Sequence, residues 1–212
     1  VQACRGKYFV HEESRTDENL ELKEDERGTY IFNSKDLNLI EYIDKVYDAG
    51  VYSLKIEGRM KSPYYVATVV NAYRRAIDYM LDCKEKGIEY HAPKNLVEDL
   101  NKPSHRKYTT GFMFNDGNVR QNYESSIQEQ ESKFMAIVID KKPGKILIEQ
   151  RNKFSVGDSL EVLSPTDAFG KSIVVDSMID TDGNEVVEAK NVQQKLWIET
   201  DLNIEIGDIL RK

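Results

Sequence analysis

Residues 55–65, KIEGRMKSPYY, carry the side chains whose types and spacing are best suited to chemistry. In a strand, Lys55, Glu57 and Arg59 would alternate onto one face and project three charges from the strand end. Residues 55–75 contain five basic residues and a single acidic residue, Glu57, although the chain as a whole has a net charge of −7. Two interpretations stay open: an anion or phosphate site, and an internal Lys–Glu–Arg ion-pair cluster.

The elements that would position this segment follow a strand–helix pattern. Strands are predicted from short apolar runs at residues 29–32 and 51–56, and helices from apolar periodicity at residues 37–47 and 63–86. Ser62 and Pro63 form a strong helix start, and Gly87 a strong stop. Two strand–helix units joined by short loops predict a parallel α/β fold over residues 1–90.

The character of the chain changes after this region. Residues 91–130 lose the apolar pattern and are predicted to be a linker wrapped on the surface, with one short helix near Leu96. From Phe134 onward, short β-rich runs alternate with turns, which predicts a small closed β-barrel over residues 131–212. The tripeptides at residues 156–158 (VGD) and 206–208 (IGD) are interpreted as corners of that barrel.

The composition excludes several classes of protein. No apolar run approaches the roughly 20 residues of a membrane span, and no secretory signal opens the chain. We therefore expect a soluble protein of the cytoplasm, without a membrane partner. Because the chain begins at Val1 inside what resembles ordered sequence, we also expect it to be the C-terminal part of a longer protein.

Residues 55–62 (KIEGRMKS), followed by Tyr64 and Tyr65, closely resemble the signature of the U32 peptidase family. Other segments resemble further characteristic regions of that family and occur in order along the chain: residues 27–30 (RGTY), 33–37 (NSKDL), 108–112 (YTTGF) and 150–154 (QRNKF). The resemblance thus covers nearly the whole chain.

This resemblance implies a TIM-type catalytic barrel, represented by its last two strand–helix units, followed by the family's small β-barrel. Active sites of TIM-type barrels lie at the C-terminal ends of strands. The catalytic candidates are accordingly Lys55, Glu57 and Arg59, and the candidates for substrate or anion binding are Lys61, Tyr64 and Tyr65. Two units cannot close an eight-stranded barrel, so we expect this chain alone to be inactive and its exposed strands to favour self-association.

The resemblance leaves two enzymes and one binding module as alternatives. The family is described as collagenase-like peptidases of unassigned catalytic type, which implies a peptidase whose barrel positions substrate or partner. Several relatives are instead implicated in hydroxylation of tRNA or rRNA, and a basic segment with two tyrosines suits phosphates and bases better than a peptide. The third hypothesis is a non-catalytic binding module. The expected partner is therefore a peptide or an RNA.

No cofactor or metal site is predicted within this chain. In some relatives, cysteines near the position of Cys4 are linked to an iron–sulfur cluster, which makes Cys4 a candidate ligand in a longer protein. Such a cluster needs about four thiolates, whereas the chain has two cysteines, Cys4 and Cys83. Its three histidines lack the spacing of a zinc or nucleophile motif.

Overall fold

The computed structural model describes residues 9–13, 15–21, 23–26, 28–30, 35–114 and 128–212. The chain forms two compact units. The first comprises residues 1–39 and 105–129, and the second comprises residues 40–104 and 130–212. Among the described helices, none combines the length and the hydropathy that crossing a bilayer requires.

The first unit contains short paired strands. Its described pairs are β1 (Phe9–Glu12) with β2 (Arg15–Glu21) and β3 (Lys23–Asp25) with β4 (Gly28–Tyr30), both antiparallel, and β5 (Asp36–Leu37) with β6 (Tyr108–Thr109), parallel. The Asp36 carboxylate also accepts hydrogen bonds from the Arg106 backbone N–H and from Arg106 Nε, each at 2.9 Å. These contacts join segments about seventy residues apart in the chain.

This pairing corrects the predicted start of the first helix. Leu37, the first residue of the predicted helix, lies with Asp36 in a strand instead. A 3-10 turn begins at Ile40, and α1 runs over Ile43–Asp48. The strand ladder and the ion pair with Arg106 hold Asp36 extended. A local pattern cannot reveal an interaction over such a sequence separation.

The second unit contains two further helices, α2 (Pro63–Lys86) and α3 (Lys94–Asp99). The predicted ends of α2 are confirmed. Ser62 Oγ accepts the Tyr65 backbone N–H at 3.2 Å, and Pro63 is the first helical residue. Gly87 closes the helix in the left-handed region, with φ +66°.

The strand predicted at residues 51–56 is absent from the structure. Residues 51–58 have no regular secondary structure, and none of the described residues pairs with them as a strand. A parallel strand exists only through hydrogen bonds to neighbouring strands. The region before residue 105 is therefore a mixed α/β region, and the two strand–helix units expected of a TIM-type barrel are not formed in it.

The rest of the second unit is β-rich, as predicted. Its strands are β7 (Phe134–Lys142), β8 (Lys145–Gln150), β9 (Phe154–Ser155), β10 (Ser159–Leu163), β11 (Ser172–Val174), β12 (Ile179–Asp180), β13 (Glu188–Ala189), β14 (Lys195–Glu199) and β15 (Ile209–Arg211). Seven of them form one antiparallel sheet in the order β11-β10-β15-β7-β8-β14-β12, and β9 pairs with β13.

The predicted closed barrel is wrong. The two end strands of the seven-stranded sheet, β11 and β12, do not pair with each other in the described residues, so the sheet is a half-barrel. Strand number and alternation can be predicted from a sequence. Closure also depends on the tilt and stagger of the strands, which arise from pairing across the whole domain.

Side-chain alternation places the core on one face of this sheet. On β14, Leu196 and Ile198 are buried, whereas Trp197 between them points to the opposite face and is half-buried. Phe154 of β9 and Ala189 of β13 belong to the same buried cluster as the sheet residues. The short β9–β13 pair therefore helps to cover the core that the open sheet encloses.

The two Gly-Asp tripeptides form matching corners, which confirms their structural interpretation. Gly157 and Gly207 have φ of +91° and +95°, in the left-handed region that glycine tolerates. The carboxylate of Asp158 accepts the backbone N–H of Ser155 at 2.9 Å, and that of Asp208 accepts the N–H of Glu205 at 2.9 Å. Each corner delivers the chain into a strand, β10 or β15, and these two strands pair.

A group of four charges, two of them buried and two half-buried, joins α3 to the sheet. The Arg211 guanidinium on β15 pairs with Asp99 at the end of α3, and its Nη2 lies 2.6 Å from Glu161 Oε1 on β10. The Lys102 Nζ lies 2.8 Å from Glu161 Oε1 and 3.1 Å from Asp99 Oδ1. Each carboxylate thus has two cationic partners. We call these four residues the buried charge cluster.

This cluster predicts an acid dependence of stability. Burial alone would raise the pKa of Glu161, but hydrogen bonds from Lys102 and Arg211 outweigh it and hold that pKa below its ordinary value of 4.5. Glu161 therefore contributes stability at pH values above 4.5, and this contribution is lost as the pH falls through the lowered pKa. We expect the free energy of unfolding to decrease below about pH 4.5 in the native chain and less steeply in Glu161→Gln.

Urea unfolding between about pH 3 and pH 7 measures both profiles. Asp167→Asn, which changes a carboxylate outside the cluster, is the control. Identical acid slopes for the native chain and Glu161→Gln would contradict the prediction.

Candidate functional site

The segment 55–65 leads into α2 through a turn. The Gly58 carbonyl accepts the Lys61 backbone N–H at 2.9 Å, and Glu57 Oε1 accepts the Arg59 backbone N–H at 2.7 Å. Glu57 thus uses its carboxylate to shape the turn. A carboxylate in this role positions the residues that follow it and does not neutralise the neighbouring side chains.

Lys55 and Arg59 present their cationic groups to solvent. Both residues are exposed, and no carboxylate of the described residues lies within 4.0 Å of either cation. The internal Lys–Glu–Arg ion-pair cluster is therefore not formed in this structure. Because residues 51–58 are not a strand, the predicted alternation onto one face does not apply either. What remains is a pair of exposed cations on either side of Glu57.

Lys61 and Tyr65 lie together at the start of α2. The Lys61 Nζ donates to the Ser104 carbonyl at 2.9 Å and lies 4.8 Å from the centroid of the Tyr65 ring. Both side chains are half-buried. The carbonyl and the ring hold the ammonium in one place. The sequence prediction of an anion-binding segment stays a prediction, and Lys61 and Tyr65 have positions compatible with it.

Tyr64 lies elsewhere. It is 2% exposed and packs with Leu163 and Ile209, and its ring stacks on Phe134 at a centroid distance of 5.8 Å. Burial raises the pKa of the Tyr64 phenol, although Ser132 and Arg211 oppose that rise. Its Oη has no hydrogen-bond partner among the described residues. Tyr64 therefore packs α2 against the sheet, and substrate binding at Lys61 and Tyr65 stays a prediction.

Gly58 fits closely against α2. A Cβ at this position would lie 2.8 Å from Val66 Cγ2, which is too close for a real contact. The β-branched Val66 side chain is stiff on a helix and cannot turn away freely. We expect Gly58→Ala to lower the free energy of unfolding by about 1–3 kcal/mol, measured by urea unfolding. The same change in a Val66→Ala background should cost much less, and an equal cost in both backgrounds would contradict this explanation.

The described residues do not fit an iron–sulfur cluster. Cys83 on α2 is buried, and Cys4 lies outside the described residues. In the described part of the chain, no three His, Cys, Asp or Glu side chains come together in a way that could hold a metal ion. The prediction for Cys4 therefore stays a prediction, and no chemical step is derived through a cluster.

Neither histidine in residues 35–114 forms a hydrogen bond with a Ser, Thr or Cys side chain of the described residues. His91 is exposed, and its Nε2 lies 3.7 Å from Glu89. His105 is buried, stacks on Tyr108 at 4.4 Å, and forms a hydrogen bond between Nδ1 and the Arg106 carbonyl. The third, His11, belongs to the part whose side chains are outside the description.

Sequence reasoning missed the buried charge cluster and a group of cations beside Trp197. The cluster leaves no local signal, because Asp99 and Arg211 are separated by 112 positions. The second group had a signal: Lys142 and Lys145 flank a Pro-Gly turn, and Trp197 alternates with buried residues in a predicted strand. That alternation places the indole on the outer face of the sheet.

Comparison with known proteins gives a consistent result along the chain. The model of peptidase family U32 matches residues 1–123, and the model of the family's C-terminal domain matches residues 130–211. The chain is 32% identical to tRNA hydroxylation protein P of Escherichia coli (strain K12) over 203 residues, which cover 94% of this chain and 43% of that relative.

Two further relatives carry different names. The chain is 32% identical to tRNA hydroxylation protein P1 of Bacillus subtilis (strain 168) over 215 residues, which cover 100% of this chain and 50% of the relative. It is 46% identical to a collagenase of Porphyromonas gingivalis over 78 residues, which cover 37% of this chain and 18% of the relative. The chain spans about half the length of the first two relatives. With the family models matching both parts of its length, the chain belongs to peptidase family U32.

Proposed function

We propose that the whole protein takes part in tRNA hydroxylation and that residues 55–65 contact the RNA backbone. The observation that carries this proposal is the pair of exposed cations, Lys55 and Arg59, which have no carboxylate partner among the described residues. Phosphate oxygens are the usual partners of such groups in protein–RNA contacts. The names of the relatives that match nearly the whole chain support the same choice.

The residues of the segment have different roles in this proposal. Lys55 and Arg59 bind phosphate, and Glu57 shapes the turn that presents Arg59. Lys61 and Tyr65, already in contact, provide a fixed cation beside an aromatic ring, an arrangement that suits a phosphate next to an unpaired base. Because the Glu57 carboxylate is used in the turn and the two cations are exposed, we assign the three catalytic candidates to binding and positioning.

The TIM-type barrel and the cytoplasmic location belong to this proposal as well. Residues 51–58 would be a strand of such a barrel if parallel strands paired with both of their edges. Self-association through strand edges is the remaining prediction about partners, and the mass of the protein in solution measures it.

The test uses cells that lack the gene and carry the whole protein in native or variant form. Mass spectrometry of tRNA nucleosides should show a clear loss of hydroxylated nucleoside with Arg59→Ala. Arg74→Ala is the matched control, because Arg74 lies in the same basic region but is paired with Asp78 at 3.0 Å. Full hydroxylation with Arg59→Ala would overturn the proposal.

Binding of tRNA by the purified protein gives a second measurement. We expect Arg59→Ala to weaken binding and to reduce the salt dependence of log Kd by about one, as the loss of one phosphate contact predicts. An unchanged salt dependence would remove Arg59 from the RNA contact.

A peptidase is the second candidate, because the chain matches a relative named collagenase. Cleavage of gelatin by the whole protein, lost in Glu57→Ala while tRNA hydroxylation persists, would favour it. A non-catalytic binding module in residues 131–212 is the third candidate. It would be favoured if both activities are absent and a partner binds through that region alone.

A further inference from the structure

We propose that the outer face of the C-terminal sheet carries a second RNA contact, in which an unpaired base stacks on Trp197 and its phosphates bind Lys142 and Lys145. The proposal rests on the proposed function, because it assumes that the substrate is RNA. We call these three residues the Trp197 platform.

Trp197 lies on the outer face of the sheet. Its neighbours on β14, Leu196 and Ile198, are buried in the core, so Trp197 projects from the opposite face, and it is half-buried there. Its cross-strand neighbours are Leu147 on β8 and Ile179 on β12. These apolar neighbours flank the indole, which is not part of the buried core of the domain.

The two lysines lie above this ring. The Nζ atoms of Lys142 and Lys145 are 4.6 Å and 5.3 Å from the centroid of the indole ring. The two residues face each other as the closing pair of the β7–β8 hairpin. Like charges in such a pair are unfavourable, and the electron-rich ring offsets only part of this cost. An anion between the two ammonium groups would relieve it.

Neither lysine has a carboxylate within 4.0 Å among the described residues. Glu199 is the cross-strand partner of Lys145 but forms no ion pair with it. Lys141, the preceding lysine on β7, is paired by contrast and lies 2.5 Å from Glu205. The platform therefore combines two unneutralised cations with one aromatic face.

This combination favours a nucleotide over an acidic peptide. A carboxylate chain would satisfy the lysines and leave the indole unused, whereas a base and its phosphates use both groups. The same lysines also line a hollow of about 530 Å³ between the hairpin and residues 200–204, but Trp197 does not line it, so the stacking contact lies outside this hollow.

The charge of the domain limits the size of the contact. Residues 134–212 hold ten Lys and Arg against fourteen Asp and Glu, a net charge of −4. A negatively charged surface cannot bind along an RNA duplex, since neutralising the phosphates of a duplex needs many cations. The contact is therefore local, with one or two unpaired nucleotides of a loop or strand end.

The experiment uses the full 212-residue chain, in which Trp197 is the single tryptophan. Binding of oligouridylate of about ten nucleotides is followed by quenching of Trp197 fluorescence and by anisotropy of a labelled oligonucleotide. We expect saturable quenching, and a loss of affinity of about 5- to 150-fold in Trp197→Ala. The double change Lys142→Gln with Lys145→Gln should reduce the salt dependence of log Kd by about 1.4.

The control is Lys153→Gln with Lys190→Gln, which removes the same charge beside Glu188 and should bind as the native chain does. Circular dichroism verifies that each variant is folded, and Trp197→Phe, which keeps an aromatic face, should bind better than Trp197→Ala. Native affinity in the Lys142→Gln, Lys145→Gln variant overturns the proposal. Polyglutamate that quenches as strongly as oligouridylate also overturns it and indicates a protein partner.

Failure of this inference is distinguishable from failure of the proposed function. If Trp197 is not quenched while Arg59→Ala still abolishes tRNA hydroxylation, only the platform is wrong. If quenching occurs while Arg59→Ala leaves hydroxylation intact, the role of residues 55–65 is wrong and the platform stands.

Discussion

Arg211→Met is expected to lower the free energy of unfolding by about 3–5 kcal/mol. The change leaves the Asp99 carboxylate, which is 1% exposed, without its guanidinium partner, and Glu161 loses one of its two cations. Lys102 stays near both acids, but one ammonium cannot replace a guanidinium that contacts both Asp99 oxygens. Urea unfolding followed by circular dichroism measures the difference.

Lys212→Met is the matched control for this change. Lys212 is the next residue in the chain, and its half-exposed side chain pairs with Asp158 at 2.7 Å. Exposed ion pairs contribute at most about 1 kcal/mol. A loss of that size in Arg211→Met as well would contradict the assigned role of the buried charge cluster.

The double change Arg211→Met with Asp99→Leu separates the ion pair from its surroundings. Removing both charges leaves no isolated carboxylate at the end of α3. We therefore expect the double variant to lose less stability than the sum of the two single variants. Strict additivity would show that Arg211 and Asp99 do not interact in solution.

Tyr64→Ala is expected to lower the free energy of unfolding by about 3–5 kcal/mol, the range for loss of a large buried aromatic side chain. The ring is 2% exposed, stacks on Phe134 and contacts Leu163 and Ile209. Its removal would leave a cavity between α2 and the sheet. Urea unfolding measures the loss, and Tyr65→Ala, at the half-buried neighbour, is expected to cost less.

Tyr64→Phe tests the contribution of the hydroxyl alone. The Tyr64 Oη is buried and has no hydrogen-bond partner among the described residues. Because removal of an unpaired buried polar group is close to neutral, Tyr64→Phe should stay within about 1 kcal/mol of the native chain. A large loss in Tyr64→Phe would indicate a hydrogen bond to the phenol in solution, for which Ser132 and Arg211, which both lower the phenol pKa, are the candidates.

Features that depend on a few consecutive residues were predictable. The ends of α2 follow from Ser62, Pro63 and Gly87, because capping and the left-handed stop are interactions within four residues. The corners at Gly157 and Gly207 follow from a turn-forming pair before an apolar run. Strand alternation in β8 and β14 follows from the two-residue period.

Features that depend on distant residues were not predictable. The strand role of Asp36 requires Arg106 and residues 108–109, and the buried charge cluster requires Asp99 to meet Arg211. In the candidate site, the sequence placed six residues in one functional group. The structure separates Tyr64 from that group, because the first turn of α2 directs Tyr64 into the core and leaves Tyr65 half-buried beside Lys61.

The sequence by itself determined the family signature of residues 55–65, the limits of α2 and the β-rich nature of the region after Phe134. Each of these features depends only on the types and the spacing of residues close together in the chain. Only the tertiary structure decided that the sheet is an open half-barrel, that Glu57 shapes a turn, and that the exposed Lys55 and Arg59 side chains have no carboxylate partner among the described residues. The physical reason is that strand register, burial and charge pairing depend on which residues meet across the fold.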